Sequence, residues 1–179
     1  MAVLFDANVL LLALHPDALP PIDPATSLPL DHVSERIDYL LRRLSAAKTT
    51  VMIPSPVLTE VLCIAKSAQA RLIQSLQRDP FVVVPFDTRA AIECADLLAF
   101  HFAQKARQKG VPGARAKIKF DRQIVAIARA NGASEVFSDD DDVRKEAMRV
   151  GLKVTRTIDL PRDPATAQAR IDLRPRDES

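Results

Sequence analysis

Short apolar runs and longer amphipathic stretches alternate along most of the chain. Val3–Phe5, Val51–Ile53, Phe81–Val84, Glu135–Phe137 and Lys153–Thr155 are brief, rich in Val, Ile or Phe, and bounded by polar residues or proline. That is the pattern of short strands. Between them apolar residues recur at helical spacing. Val33, Ile37, Leu40, Leu41 and Leu44 form one stripe, and Val57, Leu58, Val61, Leu62 and Ala65 a second. Ala91, Ile92, Ala95, Leu98, Ala99 and Phe102 form a third, while Phe120, Ile124, Ile127 and Asn131 align on a fourth helix. The alternation predicts an α/β fold: a three-layer α/β/α sandwich around a central, mostly parallel sheet of about five strands, covered on both faces. Such folds bind ligands beyond the carboxyl ends of their strands, so polar residues at those ends carry the most weight.

Two segments break the alternation. His15 to Pro29 carries five prolines and predicts an ordered or semi-flexible surface loop, an insertion over 15–30 before the first long helix. From about Pro161 the chain is polar, charged and punctuated by proline. The expected division is a single domain over 1–158 and a tail or arm over 159–179 that docks on a partner. A length of 179 residues suits one domain with a sizeable core. No apolar run reaches the roughly 18 residues of a membrane span. The opening MAVLFDANVLLLAL lacks a basic leader and is interrupted by an acid, so it reads as a strand entering a helix. Cys63 and Cys94 have no CxxC partner and are expected to be reduced core thiols, in keeping with a cytoplasmic protein.

With 25 basic and 23 acidic side chains the net charge is only +2, which does not advertise nucleic acid. The distribution is more telling. Lys105, Arg107, Lys109, Arg115, Lys117, Lys119 and Arg122 fall in one stretch, which reads equally as a solvated face or a phosphate-binding one. Acids, in turn, sit where apolar residues or turns would suffice. Asp6 ends the run AVLF and is either a helix N-cap or a functional group at a strand end. Glu60 lies on a helix that Ser55 would cap and Pro56 begin, near the edge of its buried arc, where an ordinary surface Glu would also be at home. In FDRQIVAIARA, counting about 100° per residue, Asp121 projects inside the apolar arc. A buried carboxylate costs several kcal/mol without compensation and so calls for a cation, a metal or strong donors, unless it begins the helix and caps it. Finally, SDDDDV follows a strand directly, although one N-cap would serve the next helix. Acids placed at one rim of one sheet are hard oxygen donors of the kind Mg²⁺ and Mn²⁺ prefer.

These residues together resemble the PIN domain family, and within it the VapC-type ribonuclease toxins of bacterial and archaeal toxin–antitoxin pairs. FDANVLL is similar to the family's first strand, ending in Asp, a small residue and Asn, here Asp6 and Asn8. IPSPVLTEVL resembles the helix after the second strand and puts Glu60 at the second acid. KFDRQIVAIARANGA puts Asp121 at the third, at the start of the helix before the fourth strand. SDDDDV aligns Ser138, Asp140 and Asp142 with the family's hydroxyl residue and two further acids, and spacing favours Asp140 within the run. The likeness spans residues 1 to about 155. Ala7 stands where a hydroxyl residue is common, and Val143 replaces a frequent aromatic.

The resemblance implies a metal-dependent endoribonuclease that hydrolyses RNA phosphodiester bonds with Mg²⁺ or Mn²⁺. Asp6, Glu60 and Asp121 would be central ligands, with Asp140 and Asp142 as further or water-mediated ones. Asn8 and Ser138 would orient ligands or water. It also implies a homodimer and a small antitoxin partner, away from any membrane. Arg115, Lys117, Lys119 and Arg122 flank Asp121 and are candidates for gripping RNA phosphates. With His15, His32 and His101 scattered, a histidine acid–base mechanism is disfavoured. Two other readings compete: a PIN-like module that binds RNA or protein without cutting, and a phosphotransferase with a sheet-rim Asp. The latter needs a second acid where this chain has Asn8. A receiver domain would need a phospho-acceptor Asp where the chain has Pro54 and Ser55.

Overall fold

The structure is a computed structural model and describes residues 1–15, 17–105 and 114–168, the side chains of 101–105, 114–118 and 167–168 excepted. Five strands form its sheet: β1 (Ala2–Phe5), β2 (Thr50–Pro54), β3 (Phe81–Val84), β4 (Glu135–Phe137) and β5 (Lys153–Thr155). Their order is β3-β2-β1-β4-β5, and every pairing is parallel. The expected α/β architecture is thus present, with a wholly parallel sheet. Parallel strands require crossover segments, and helices supply them: α1 (Ala7–Leu14), α2 (Val33–Ala46), α3 (Ser55–Ala65), α4 (Gln69–Leu76), α5 (Thr88–Lys105), α6 (Ala114–Ala130) and α7 (Asp141–Arg149). A short α8 (Pro164–Gln168) ends the described chain. No described helix is long and apolar enough to cross a membrane.

The chain builds β1, β2 and β3 outward in one direction, then returns to place β4 on the other side of β1. The topological switch point therefore lies between β1 and β4, where α/β sheets open a crevice for ligands. Register sharpens the consequence. Phe5 pairs with Phe137, so the next residues, Asp6 and Ser138, leave the sheet side by side. The Phe5 and Phe137 rings meet edge to face at 5.3 Å between centroids, closing the core beneath the crevice. Leu4, Phe5, Val51, Ile53 and Val136 are fully buried along the sheet, with Leu10, Val57, Val61, Ile124 and Ile127 packed over it from α1, α3 and α6.

Several expectations are corrected. Helix α5 buries Ala90, Cys94 and Leu97, while Ala91, Ile92, Ala95 and Ala99 are exposed. Apolar residues occur on more than one side of this helix, and packing against α6 selects the narrower stripe. Phe102 lies outside the described side chains. Cys63 is exposed on α3, so only Cys94 is a core thiol; both are free. Ser55 is the first residue of α3 rather than its cap, and its Oγ instead accepts from the Phe86 amide at 3.2 Å, tying α3 to the exit of β3. Helix α6 begins at Ala114, so Asp121 sits within the helix and cannot cap it.

The described residues of both irregular segments make polar contacts. In the proline-rich insertion, Ile22 and Pro29 form an antiparallel bridge, and Leu30 donates to the Pro21 carbonyl at 2.8 Å. After β5 the chain folds back onto α2 of its own domain. Arg36 donates to the Leu160 and Ile158 carbonyls, Arg42 meets Asp163 at 2.6 Å, and Arg162 meets Glu35 at 3.3 Å. Thr166 adds a hydroxyl donor to Glu35. Residues expected to form a partner-binding arm are, as far as Thr166, clasped to the same molecule. Residues 169–179 lie outside the described residues.

Candidate metal centre

The end of β1, the start of α7 and the inner faces of α3 and α6 converge on a cleft of about 480 Å³ lined by Asp6, Ala7, Asn8, Thr59, Glu60, Phe120, Asp121, Ile124, Asp140 and Val143. Asp6 enters from the end of β1. Its backbone amide continues the ladder by donating to the Phe137 carbonyl at 3.0 Å, which fixes where the side chain emerges. Both carboxylate oxygens are then oriented. Oδ1 accepts from the Ala7 amide at 2.7 Å and caps α1, and Oδ2 accepts from Ser138 Oγ at 2.6 Å. The N-cap and the functional reading of Asp6 are therefore not alternatives, since each carboxylate oxygen has more than one acceptor direction.

Asp6 is only 4% exposed, and its carboxyl is pushed up to about 6. Desolvation is the largest cause. The bonds from Ser138 and Ala7 oppose it, and the negative charges of Glu60 and Asp140 add to it. Glu60, on α3, is more accessible, and its carboxyl is also raised, first by desolvation and then by Asp140. Three acids from three elements thus feel one another across the cleft. Asp121 comes from α6, where it is 4% exposed on the helix's inward arc, as its position among Phe120, Ile124 and Val125 predicted.

The run of four aspartates divides by the geometry of its chain. Asp139 turns away from the cleft: its Oδ1 accepts from the Thr157 amide at 2.9 Å and its Oδ2 from Thr157 Oγ1 at 2.6 Å. Asp141 is paired with Arg144 at 2.6 Å one turn along α7. Asp140 is the N-cap of α7, with Oδ1 accepting from Asp142 and Val143 amides at 2.8 and 3.1 Å. Its own amide donates to Ser138 Oγ at 3.1 Å, so Ser138 bridges Asp6 and the start of α7. Asp140 and Asp142 are the members that meet Asp121. Carboxylate oxygens of Asp121, Asp140 and Asp142 all lie within 4.8 Å of one another.

The tightest group is therefore centred on α6 and α7, whereas the sequence put Asp6, Glu60 and Asp121 at the centre. Asp6 and Glu60 line the same cleft beside it. The donor set is all carboxylate, which fits a hard divalent cation: negative charges crowded at this spacing repel one another until an ion of opposite charge sits among them. Ser138 is fully buried and positions Asp6, while Asn8 is exposed on the cleft wall. Thr59 and Phe120 also line the cleft; the sequence offered Phe120 only as part of an apolar helix stripe and did not single out Thr59. Thr59 carries no signal there, being one hydroxyl on an amphipathic helix, and its Oγ1 donates back to the Ser55 carbonyl at 3.0 Å.

The basic candidates separate as well. Arg122 is buried and ion-paired with Glu146 at 3.1 Å, so a role in gripping phosphate does not fit its position. Lys119 is exposed on α6. Arg115 and Lys117 lie outside the described side chains.

Comparison with known proteins agrees with this architecture. Residues 26–147 match the family model described as PIN domain. No curated protein matches the sequence. Among solved structures, VapBC2 from Rickettsia felis bound to a DNA fragment from its promoter is similar, with a TM-score of 0.55 and 19% identity over 87% of this chain and 98% of that one. DNA-bound VapBC from Salmonella typhimurium gives 0.53 and 18% identity, covering 88% and 98%. Mycobacterium tuberculosis VapC20, described as a Sarcin-Ricin loop cleaving toxin, gives 0.51 and 14%, covering 84% and 95%. At these identities the likeness is one of fold.

Proposed function

Because this chain belongs to the PIN domain family, we propose that it is a metal-dependent endoribonuclease whose carboxylates hold Mg²⁺ or Mn²⁺ at the rim of the sheet. One observation carries the reading: Asp121 and Asp140 line one cleft with Asp6 and Glu60, and together with the exposed Asp142 they bring carboxylate oxygens within 4.8 Å of one another. Such a site, when loaded, offsets charge on a phosphate and lowers the pKa of an attacking water. The chain's own part is to hold ligands and substrate in place. Ser138 fixes Asp6, the N-cap geometry fixes Asp140, and Asn8 offers an amide at the cleft wall that can orient water or a phosphate oxygen. Lys119, with Arg115 and Lys117 before it, is proposed to grip the RNA backbone, giving affinity that falls steeply with salt. The likeness to VapBC structures supports a small antitoxin as partner, and a homodimer is proposed as the working assembly. The two free thiols suit a reducing cytoplasm.

The test is direct. Purified protein incubated with mixed RNA and Mn²⁺ or Mg²⁺ should cut it, EDTA should stop the reaction, and Asp121→Asn should abolish it. Wild-type protein that leaves RNA intact across a metal series, yet still binds it, would show a non-cutting RNA-binding module. Turnover of a small phosphomonoester without RNA cleavage would redirect the assignment to phosphotransfer.

A further inference from the structure

Behind the cleft, Glu146 of α7 is 5% exposed and lies between two arginines. Arg122 of α6 reaches its Oε2 at 3.1 Å, and Arg149 binds both oxygens, at 3.2 Å through Nε and 2.5 Å through the terminal nitrogen. The Arg149 guanidinium in turn lies 4.2 Å over the Phe100 ring of α5. The network joins α5, α6 and α7. Its place in the sequence is what matters: Arg122 follows Asp121 directly, and Glu146 is one helical turn after Asp142, on the same side of α7.

We propose that this Arg122–Glu146–Arg149 network is a strut that sets the rotation of α7 against α6, and so the separation of the metal-holding oxygens of Asp142 and Asp121, with Glu146 as the positioning residue. The proposal rests on the metal reading above. A desolvated ion pair adds little net stability compared with apolar side chains of similar size, so its contribution lies in directional geometry. Helix α7 needs such geometry. Its only other buried side chains are Val143 and Ala147, two small apolar groups that cannot by themselves fix its azimuth. On a helix whose side chains reach about 5–6 Å from the axis, a rotation of about 10° moves a carboxylate by ~1 Å. A divalent site tolerates deviations of only about 0.2 Å in its ligand distances. Before the helix, Asp139 is clamped to Thr157 by two hydrogen bonds, which anchor the chain entering α7.

The experiment uses the full chain and Mn²⁺ itself as probe, titrated by electron paramagnetic resonance, with thermal stability measured in parallel. Glu146→Gln should weaken Mn²⁺ binding about 10–100-fold, the range typical of residues that orient metal ligands. The double variant Arg122→Met/Glu146→Leu removes the pair but keeps apolar volume. It should melt no lower than wild type while still binding Mn²⁺ at least about tenfold more weakly, which a purely structural role would not produce. A stable double variant with wild-type Mn²⁺ affinity overturns the strut alone. Wild-type protein that takes up no Mn²⁺ overturns the metal reading and the strut with it.

Discussion

The cleft and the C-terminal clasp on α2 are both rich in acids, yet the protein treats them in opposite ways. In the clasp each acid meets a donor: Asp163 accepts from the Ala165 amide and pairs with Arg42, and Glu35 accepts from Thr166 and Arg162. The carboxyls of Glu35 and Asp163 are held below their ordinary values by these bonds. In the cleft, Asp6 and Glu60 are raised, because burial and other acids outweigh the donors. Acids that stabilise a fold are matched locally. Acids crowded in the cleft make the folded state carry their repulsion, which the proposed metal ion would relieve.

The contrast can be broken most severely at Asp6. Replacing it with Asn should reduce RNA cleavage by at least about a hundredfold, and the same change should stabilise the metal-free protein at neutral pH. The sign follows from linkage. A carboxyl raised in the folded state, from 3.8 to about 6, favours folding fully below the lower value and loses that contribution as pH rises through the upper one. At 1.36 kcal/mol per tenfold change this amounts to ~3 kcal/mol, so the melting temperature of wild type without metal should fall between pH 4 and 7 more than that of Asp6→Asn. A variant that melts lower than wild type at pH 7 would mean that Asp6 is a structural acid like those of the clasp.

A comparable effect is expected from metal. Mn²⁺ at a hundred times its dissociation constant should stabilise the fold by about 2.7 kcal/mol. The gain should be larger at pH 7 than at pH 5, since protons compete for the same oxygens. A gain independent of pH would place the ion elsewhere. The smallest effect belongs to the clasp. Its acids are lowered in the folded state, so their contribution is fully present above their ordinary values of 4.5 for Glu35 and 3.8 for Asp163 and is lost as pH falls through the lowered ones. Asp163→Asn should flatten that acid-side loss slightly and leave RNA cleavage unchanged. A drop in cleavage would show that the clasp communicates with the cleft.

Much of this was legible in the chain because burial and periodicity are local signals. The strands over Phe81–Val84, Glu135–Phe137 and Lys153–Thr155 have the same limits in sequence pattern and in structure. Asp121 stood out as a charge within an apolar arc, and it is buried there. What sequence could not rank were choices made by tertiary contacts. Motif spacing favoured Asp140 within the run of four aspartates, but the reason appears only when Thr157 is seen to claim Asp139 and Arg144 to claim Asp141. Arg122 is one of several basic residues until Glu146, 24 positions later, is seen to meet it. The buried side of α5 was misread because its apolar residues satisfy two stripes, and only the neighbouring helix chooses between them.

The pairing of Phe5 with Phe137 limits how the gene can change in length. Side chains along a strand alternate between faces, so one codon added within β1 or β4 would turn Asp6 or Ser138 toward the opposite layer of helices. The segment between α1 and α2 closes through its own Ile22–Pro29 bridge and can lengthen or shorten without disturbing either strand. Insertions and deletions among natural variants should therefore accumulate there and spare the three-residue β4.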